Sequence, residues 1–223
     1  MKIEKSETFI VGTFLAIAGG FLDGYTFICR GGIFANAQTG NMIFSALSLT
    51  SGDFYMALFY VLPVIFFAFG VFISEFMKVR YSDAKKISWQ QISLVLEIIV
   101  LIVVSFIPSD DLNVWVNISI AIVCGIQVQS FRKLHGNAYA TTMCTGNLRS
   151  ASECMFYGFI QKDEQMKRKA FLYFCIIFIF LLGVLIGAFA TYVLNEHSII
   201  IAAIILAFPL IYIHNFSADK SQI

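Results

Sequence analysis

Six long apolar runs divide this chain, and they limit its fold more than any other feature. A helix needs about 20 apolar residues to cross the hydrocarbon core of a bilayer, and only helices and closed barrels satisfy their backbone hydrogen bonds there. The runs cover approximately residues 8–28, 54–77, 88–107, 113–131, 170–194 and 198–214. The sequence therefore predicts an all-α polytopic membrane protein with about six transmembrane helices.

The composition supports a membrane protein of one domain. The 223 residues are 59% hydrophobic and 13% charged, with a mean hydropathy of +0.81, whereas soluble domains carry about 25% charged residues. The net charge is +1, and the basic residues are scattered in short loops. A nucleic-acid-binding protein needs a concentrated basic patch or stripe. We therefore expect a single membrane domain, residues 1–223, which has the lipid bilayer as its partner and binds no nucleic acid.

Polar sequence interrupts the apolar pattern at two related places. The tripeptide Thr39-Gly40-Asn41 recurs as Thr145-Gly146-Asn147, and each copy lies where a membrane protein is expected to be apolar. A second glycine lies the same number of residues before the central glycine of each copy. It is Gly19 in the first half and Gly125 in the second. Two related halves with a polar break at the same place are the sequence pattern of a transporter built from repeats.

A second match extends the repeat towards the end of each half. The sequence Gly70-Val71-Phe72-Ile73 corresponds to Gly183-Val184-Leu185-Ile186, at a larger offset than that of the tripeptides. The additional residues of the second half fit in the charged loop 162–169. We place repeat one at about residues 8–107 and repeat two at about residues 113–214.

The placement of Lys and Arg indicates how often the chain crosses the membrane, because cytoplasmic loops are enriched in these residues. If both polar breaks re-enter without a net crossing, all of the 15 basic residues except Arg30 and Arg149 lie on the side of the N-terminus. Two additional crossings would divide the basic residues about evenly between the two sides. We therefore expect two inverted three-helix repeats, each with a broken or re-entrant polar segment, and cytoplasmic N- and C-termini.

The two breaks supply the candidate ligands for a small solute. A half-helix that begins after Gly31 and Gly32 would present free N–H groups and the positive end of its dipole. Such an end attracts an anionic group, and inversion would turn the two ends towards each other. The candidate substrate-binding residues are Asn36, Gln38, Thr39, Gly40, Asn41, Thr141, Thr145, Gly146 and Asn147. Alternatively, Thr and Asn only cap the half-helices, and the two roles are compatible.

Two acidic residues within apolar runs are candidates for proton coupling. Asp23 lies in the outer third of the first helix, and Glu97 lies deep within the run 88–107. A carboxyl group inside a membrane is costly and indicates function by default, so Asp23 is our first candidate for a proton-binding group. At the offset of the two tripeptides its counterpart is the neutral Gln129, which would make coupling asymmetric. The alternative for Asp23 is a helix cap or an interhelical hydrogen bond.

The residues around the first break resemble a known family. The stretch GGFLDGYTF at 19–27, followed by GGIFANAQTGN at 31–41, is similar to the signature of the YoaK-like family of bacterial inner-membrane proteins. The tripeptide at 145–147 also fits that pattern, and the likeness covers nearly the whole chain. Members are described as small-molecule transporters without an agreed substrate. The resemblance implies a bacterial cytoplasmic (inner) membrane location, with Asp23 and residues 36 and 38–41 at the family's motif positions.

Other sequence features argue against an enzyme. The three histidines lack the spacing of a zinc site and the five cysteines form no C-x-x-C pair, so we expect no metal. The sequence has no Walker A, G-x-S-x-G or dinucleotide-binding motif, so we expect no cofactor and no enzymatic activity.

The function that the sequence favours is transport. We expect a secondary-type transporter of a small polar or anionic solute, with proton coupling and alternating access around a midplane site at the repeat interface. The alternatives are a passive channel or facilitator for a small solute and a membrane structural protein that transports nothing. The sequence also leaves a homo-oligomer open.

Overall fold

The fold is a bundle of α-helices. The computed structural model describes residues 5–81, 87–134, 137–139, 142 and 144–218, so the candidate ligand Thr141 lies outside the described residues. Within them the helices are α1 (Phe9–Cys29), α2 (Gln38–Thr50), α3 (Phe54–Tyr81), α4 (Trp89–Val104), α5 (Asn113–Ser130), α6 (Cys144–Ile160), α7 (Glu164–Leu194) and α8 (Ile199–Ala218). Two short antiparallel strands, β1 (Lys133–Leu134) and β2 (Asn137–Ala138), lie between α5 and α6.

Four helical stretches among the described residues are long and apolar enough to cross a membrane. They are Phe9–Cys29, Phe54–Tyr81, Asn113–Ser130 and Glu164–Asn215. The last contains α7 and most of α8, which the 3₁₀ turn Asn195–Ser198 separates, and α4 is apolar with 16 residues. On the outside of the bundle, Phe72, Phe171 and Phe189 are 69–73% exposed, as suits contact with lipid. The expected all-α fold is confirmed, with four stretches suited to a bilayer.

Each polar break leads into a short helix. α2 has 13 residues and α6 has 17, and neither is among the apolar helices suited to a membrane, whereas the 16-residue α4 is apolar. Both copies of the repeated tripeptide lie in the first turn of these helices. The N-cap position of α2 is Ala37, whose side chain makes no capping hydrogen bond. Thr39 and Asn41 therefore lie inside α2 and do not act as its N-cap.

The helix ends gather at two opposite ends of the bundle. At one end, Glu7, Lys78 and Lys133 line a polar cavity of about 470 Å³ together with the start of α4; we call this the basic end. At the other end, Tyr25 Oη near the end of α1 donates to the carbonyl oxygen of Glu196, which follows α7, at 3.4 Å. α1, α5 and α7 therefore run the full length between the two ends.

Arg30 joins three helices at the second end, which we call the Arg30 end. Its side chain is fully buried, and its guanidinium donates to the carbonyl oxygens at the end of α4, those of Val104, Ile107 and Pro108, at 2.7–3.4 Å. Its own carbonyl accepts from Asn117 Nδ2 of α5 at 2.8 Å. The C-terminus of a helix carries unpaired carbonyls and a partial negative charge. These carbonyls are therefore suitable partners for a buried positive charge.

Glycines bring α1 and α7 into backbone contact. On α1, a Cβ at Gly20 would overlap the carbonyl oxygen of Phe180 and would lie 2.9 Å from the backbone nitrogen of Val184. On α7, a Cβ at Gly183 would overlap the carbonyl oxygen of Ile17. Small residues let helices approach this closely in lipid, where packing rather than the hydrophobic effect drives association. The α1–α7 contact therefore depends on glycine at both surfaces.

The same arrangement joins α3 and α5. A Cβ at Gly70 of α3 would overlap the carbonyl oxygen of Ile122, and a Cβ at Gly125 of α5 would overlap the carbonyl oxygen of Phe67. A Cβ at Gly125 would also lie 3.2 Å from the backbone nitrogen of Val71. Two helix pairs with glycine on both partners thus form the centre of the bundle.

We expect Gly183→Ala to lower the free energy of unfolding by about 1–3 kcal/mol, because the added methyl group overpacks the α1–α7 contact. Gly146→Ala is the matched control, since a Cβ at that position has no atom within 4 Å and alanine favours a helix. Thermal unfolding of the purified protein in detergent measures both variants. Equal unfolding temperatures would contradict the close approach of α1 and α7.

Candidate functional site

Both polar breaks face one cavity. Its volume is about 600 Å³, within the range of roughly 300–1,000 Å³ that is typical of ligand sites. The polar residues that line it come from α1 and from both breaks, and they are Asp23, Asn36, Gln38, Thr39, Thr142 and Thr145. We call these six residues the polar cluster. Two segments from different halves of the sequence therefore meet across one cavity.

Gly19 of α1 is the point where both breaks contact the helix. A Cβ at this position would overlap Thr142 Cγ2 of the second break and would lie 3.7 Å from Asn36 Nδ2 of the first. Asn36 Nδ2 also donates to the carbonyl oxygen of Gly19 at 3.1 Å. Because only glycine leaves this space free, Gly19 allows both breaks to contact α1 at the same level along its axis.

Asp23 anchors the first break to α1. Its Oδ1 accepts a hydrogen bond from the backbone N–H of Asn36 at 2.6 Å, and its side chain is buried. A chain that leaves helical structure inside a bundle needs partners for the N–H groups that a helix would have satisfied. Asp23 therefore binds the non-helical backbone of the first break, and it also forms part of the cavity surface.

Asn41 holds the first break in shape from within α2. Its Oδ1 accepts from the backbone N–H of Phe34 at 3.0 Å, and its Nδ2 donates to the carbonyl oxygen of Phe34 at 2.7 Å. Nδ2 also donates to Gln38 Oε1 at 3.0 Å, while Gln38 Nε2 donates to the carbonyl oxygen of Ala35 at 2.8 Å. The side-chain amide of Asn41 thus satisfies both the backbone N–H and the backbone carbonyl of Phe34 in the break.

The repeated tripeptide divides its side chains between the cavity and the protein interior. Thr39 and Thr145 are exposed and line the cavity. Asn41 and Asn147 are buried, at 0% and 3% exposed, and neither lines it. Of the four repeated polar side chains predicted as ligands, the structure brings the two threonines together at the cavity and places the two asparagines behind it.

The two central glycines differ in their surroundings. Gly40 lies under the ring of Phe34, where a Cβ would be 2.8 Å from Cδ2, so this glycine lets the aromatic ring pack on α2. Gly146 lines the cavity and has open space where a Cβ would be. Only the second glycine of the predicted pair therefore contributes to the cavity surface.

Sequence reasoning missed the apolar part of this cavity. We call it the apolar wall, and it consists of Phe27, Ile28, Phe34, Phe67, Phe180, Val184, Ala188 and Tyr192. Phe67 and Phe180 occupy equivalent positions in the two halves, because each precedes its glycine, Gly70 or Gly183, by three positions. The repeat spacing was therefore a signal that could have identified them. Together, the apolar wall and the polar cluster give the cavity an amphipathic surface.

Glu97, the second candidate for proton coupling, lies away from the cavity lining. It is 1% exposed on α4, and both of its carboxyl oxygens lack a hydrogen-bond partner in the described part of the chain. The hydroxyl groups of Ser93 on α4 and Ser130 on α5 are 2.7 Å apart. Glu97 and Gln127 lie about one turn deeper on the same two helices, and the amide of Gln127 is equally unpartnered.

The charge of the cavity comes from few groups. Among the described residues that line it, Asp23 is the one charged side chain, and none is Lys or Arg. α2 and α6 both begin at the cavity, and a helix N-terminus carries about +0.5 of an elementary charge. No group of three or more His, Cys, Asp or Glu within the described ranges is placed to hold a metal ion.

We expect Asn41→Ala to destabilise the protein more than Thr39→Ala. Loss of the Asn41 amide leaves the N–H and carbonyl of Phe34 without partners, which costs about 1–3 kcal/mol for each buried polar group. Thr39 is exposed on the cavity, so its replacement removes no comparable interaction. Thermal unfolding in detergent compares the two variants, and a Thr39→Ala variant as unstable as Asn41→Ala would argue against the bracing role of Asn41.

Comparison with known proteins identifies the family of this chain without assigning an activity. No curated protein and no solved structure matches it. The sequence profile of a family described as protein of unknown function, DUF1275, matches residues 11–212. That range includes both polar breaks and every residue described here as lining the cavity, and the match is consistent with the YoaK-like resemblance. The chain therefore belongs to the DUF1275 family of proteins of unknown function.

Proposed function

We propose that this protein is a secondary-type transporter and that its solute binds between the two polar breaks. One observation carries the proposal: polar side chains from both breaks meet in one cavity of about 600 Å³ within an otherwise apolar bundle. Non-helical backbone at membrane depth is tolerated where it is buried in protein or lines a cavity. Broken segments that meet at the interface between repeats are the usual place of substrate binding in such transporters.

The packing of the helices supports an inverted repeat. α1 packs on α7 and α5 packs on α3; α1 packs on α8 and α5 packs on α4; α2 packs on α3 and α6 packs on α7. If α1, α2, α3 and α4 are exchanged with α5, α6, α7 and α8, respectively, each contact becomes the other contact of its pair. Such an exchange is expected when two related halves face each other across a pseudo-two-fold axis in the membrane plane.

The glycine contacts support one register for this repeat. Gly20 meets the carbonyl of Phe180 in the way that Gly125 meets the carbonyl of Phe67. Because Phe67 and Phe180 are equivalent in the two halves, the glycines that face them are equivalent as well. The contact geometry therefore aligns Gly125 with Gly20, whereas the tripeptide spacing aligns it with Gly19.

This register also changes the counterpart of Asp23. When Gly125 aligns with Gly20, Asp23 aligns with Val128, and Gln129 aligns with Gly24. The carboxyl group then belongs to the first repeat alone, opposite an apolar position in the second. Coupling through Asp23 would be asymmetric for this reason.

Six crossings and two re-entrant segments fit the proposed arrangement. In it, α1, α3, α4, α5, α7 and α8 cross the membrane. α2 enters and returns at the Arg30 end, and α6 enters and returns at the basic end, where a short turn joins it to α7. The enrichment of basic residues at the second of these ends favours a cytoplasmic position for it and for both termini. The family resemblance adds the bacterial inner membrane.

In the proposed arrangement, the cavity opens towards the outer side. Its lining reaches Ile28 and Tyr192, near the C-terminal ends of α1 and α7. Towards the basic end, Tyr139 and Leu134 pack against α1, where a Cβ at Gly12 would be 2.9 Å from Tyr139 Oη and 3.0 Å from Leu134 Cδ1. Alternating access would exchange this closed side for the open one by movement of one repeat against the other.

Asp23 is the proposed coupling group. Its carboxyl binds the backbone of the first break and also faces the cavity, so a change in its protonation acts on both the site and the segment that forms it. Glu97 is the second candidate, because it is a buried carboxyl group for which the described residues provide no hydrogen-bond partner. A passive channel would instead show flux that is independent of pH and unchanged in Asp23→Asn.

Cysteine labelling tests the proposed access without knowledge of the solute. In a variant whose five native cysteines are replaced, we expect Thr39→Cys to react with a membrane-impermeant thiol reagent in right-side-out vesicles and not in inside-out vesicles. The physical reason is that the cavity is open towards the Arg30 end and closed towards the basic end. Labelling after separate addition to each vesicle type measures the accessible side.

Two exposed turn positions serve as controls for this experiment. Thr50→Cys, at the C-terminal end of α2, should react only in right-side-out vesicles, and Lys162→Cys, between α6 and α7, only in inside-out vesicles. Reaction of Thr39→Cys from both sides in the whole population would favour the channel. Reaction from neither side, with both controls labelled, would remove the cavity as a transport site.

A further inference from the structure

We infer that the solute is a monocarboxylate with an apolar body and that it binds together with one proton on Asp23. This inference rests on the proposed function and names the substrate class of the same cavity. It is carried by three features: the charge balance of the cavity, two buried polar atoms without partners, and the apolar wall.

The charge balance of the cavity depends on Asp23. Two helix N-termini contribute about +0.5 of an elementary charge each, and an ionised Asp23 offsets both. The cavity is then close to neutral. A carboxylate bound in it would lie beside the negative charge of Asp23. When Asp23 is protonated, the two helix ends leave the cavity positive, and no described Lys or Arg in the lining changes this count. A carboxylate is therefore held well only when a proton is bound as well.

Thr142 provides a free donor for the anion. The residue is 4% exposed, lines the cavity and lies just before α6, and its Oγ1 has no hydrogen-bond partner among the described residues. A hydroxyl group can donate to a carboxylate oxygen, and hydrogen bonds to ionised acceptors are about twice as strong as neutral ones. The N-terminus of α6 and the Thr142 hydroxyl thus offer the same anion a positive potential and a donor.

Asn36 provides a free acceptor for the proton. Its Nδ2 is fixed by donation to the carbonyl of Gly19, and its Oδ1 has no partner within the described part of the chain. Protonation converts a carboxylate that can only accept into a group that also donates. Asn36 and Asp23 both line the cavity, so the polar cluster contains an unpartnered acceptor for the protonated state.

The rest of the cavity favours an apolar body. Phe27, Phe34, Phe67 and Phe180 line it together with aliphatic residues of α7, and burial of an apolar group there is favourable by about 25 cal/mol for each Å². A solute with several charges or hydroxyl groups would leave most of them against the apolar wall without partners. One ionised group at the polar cluster and an apolar remainder fit the surface best.

Few other ionisable groups face Asp23. Cys144 of α6 and Tyr192 of α7 line the same cavity, and Cys124 of α5 lies within electrostatic range of Asp23. α2 and α3 contribute Gln38, Thr39 and Phe67 to the lining, none of which ionises. Among the described residues that line the cavity, Asp23 is therefore the one carboxyl group that can bind the proton.

Isothermal titration calorimetry with sodium phenylacetate tests the inference on the purified full-length protein in detergent. We expect the Kd to rise by about tenfold for each pH unit once Asp23 ionises in the free protein, because each bound anion takes up one proton. Titrations in two buffers with different ionisation enthalpies count the protons directly. Tight binding without proton uptake by the wild-type protein would overturn the inference.

Asp23→Asn separates the proton from the anion site. The amide keeps an oxygen to accept from the Asn36 N–H, so the break keeps its anchor, and it carries no charge. We expect this variant to bind phenylacetate with no proton uptake and with a Kd that changes by less than about twofold for each pH unit. Thr142→Val should raise the Kd by about tenfold both in the wild-type protein and in the Asp23→Asn variant. Thr50→Val, outside the cavity, should leave the Kd unchanged.

Three further probes of similar shape define the class: phenylacetamide is neutral, phenethylamine is cationic and phenylalanine is zwitterionic. Weaker binding of all three than of phenylacetate supports the inference. Tighter binding of phenethylamine or phenylalanine would overturn the carboxylate class and leave the cavity as a binding site. If none of the four binds while Thr39→Cys is still labelled from the outer side, this inference fails and the proposed function stands. If that labelling is also absent, both fail.

Discussion

The fold depends on how the backbone of residues 33–37 is satisfied inside an apolar bundle. In lipid, each unpaired N–H or carbonyl costs several kcal/mol, and this segment has lost its helical hydrogen bonds. Asp23 Oδ1 accepts from Asn36 N–H, Asn41 binds both polar groups of Phe34, and the Asn36 amide donates to Gly19. The first break is therefore held by side chains in place of a helical ladder. These same contacts position the polar cluster.

α1 combines the packing of the bundle with the formation of the site. Gly20 and Gly24 face the backbone of α7, Gly19 faces both breaks, and Asp23 faces the cavity and the first break. Close backbone contacts in a densely packed interior exist in discrete arrangements and do not deform continuously. A shift of α7 against α1 would therefore move Asp23 and the break together. In the proposed transport cycle, this mechanical link would let a proton on Asp23 act on access to the cavity.

The sequence predicted the place of the site better than the roles of its residues. The repeated tripeptide identified both breaks, because a polar interruption at the same place in two apolar halves is typical of binding sites between repeats. It did not separate Thr39 and Thr145, which line the cavity, from Asn41 and Asn147, which are buried. Residues two apart near a helix start point to different sides, and which side is occupied by neighbours is a property of packing. The Arg30 contacts were missed for the same reason, since its partners are backbone carbonyls that no side-chain pattern reveals.

The sequence by itself determined the class of fold, its helices and its two polar breaks, since apolar length and the need to satisfy the backbone in lipid leave few other structures. Only the tertiary structure decided that both breaks meet at Gly19, that Asp23 binds Asn36 while facing a cavity, and that Glu97 lies elsewhere. These facts depend on contacts between helices far apart in the chain. The apolar pattern that defines each helix does not specify which of its residues face a neighbouring helix and which face lipid.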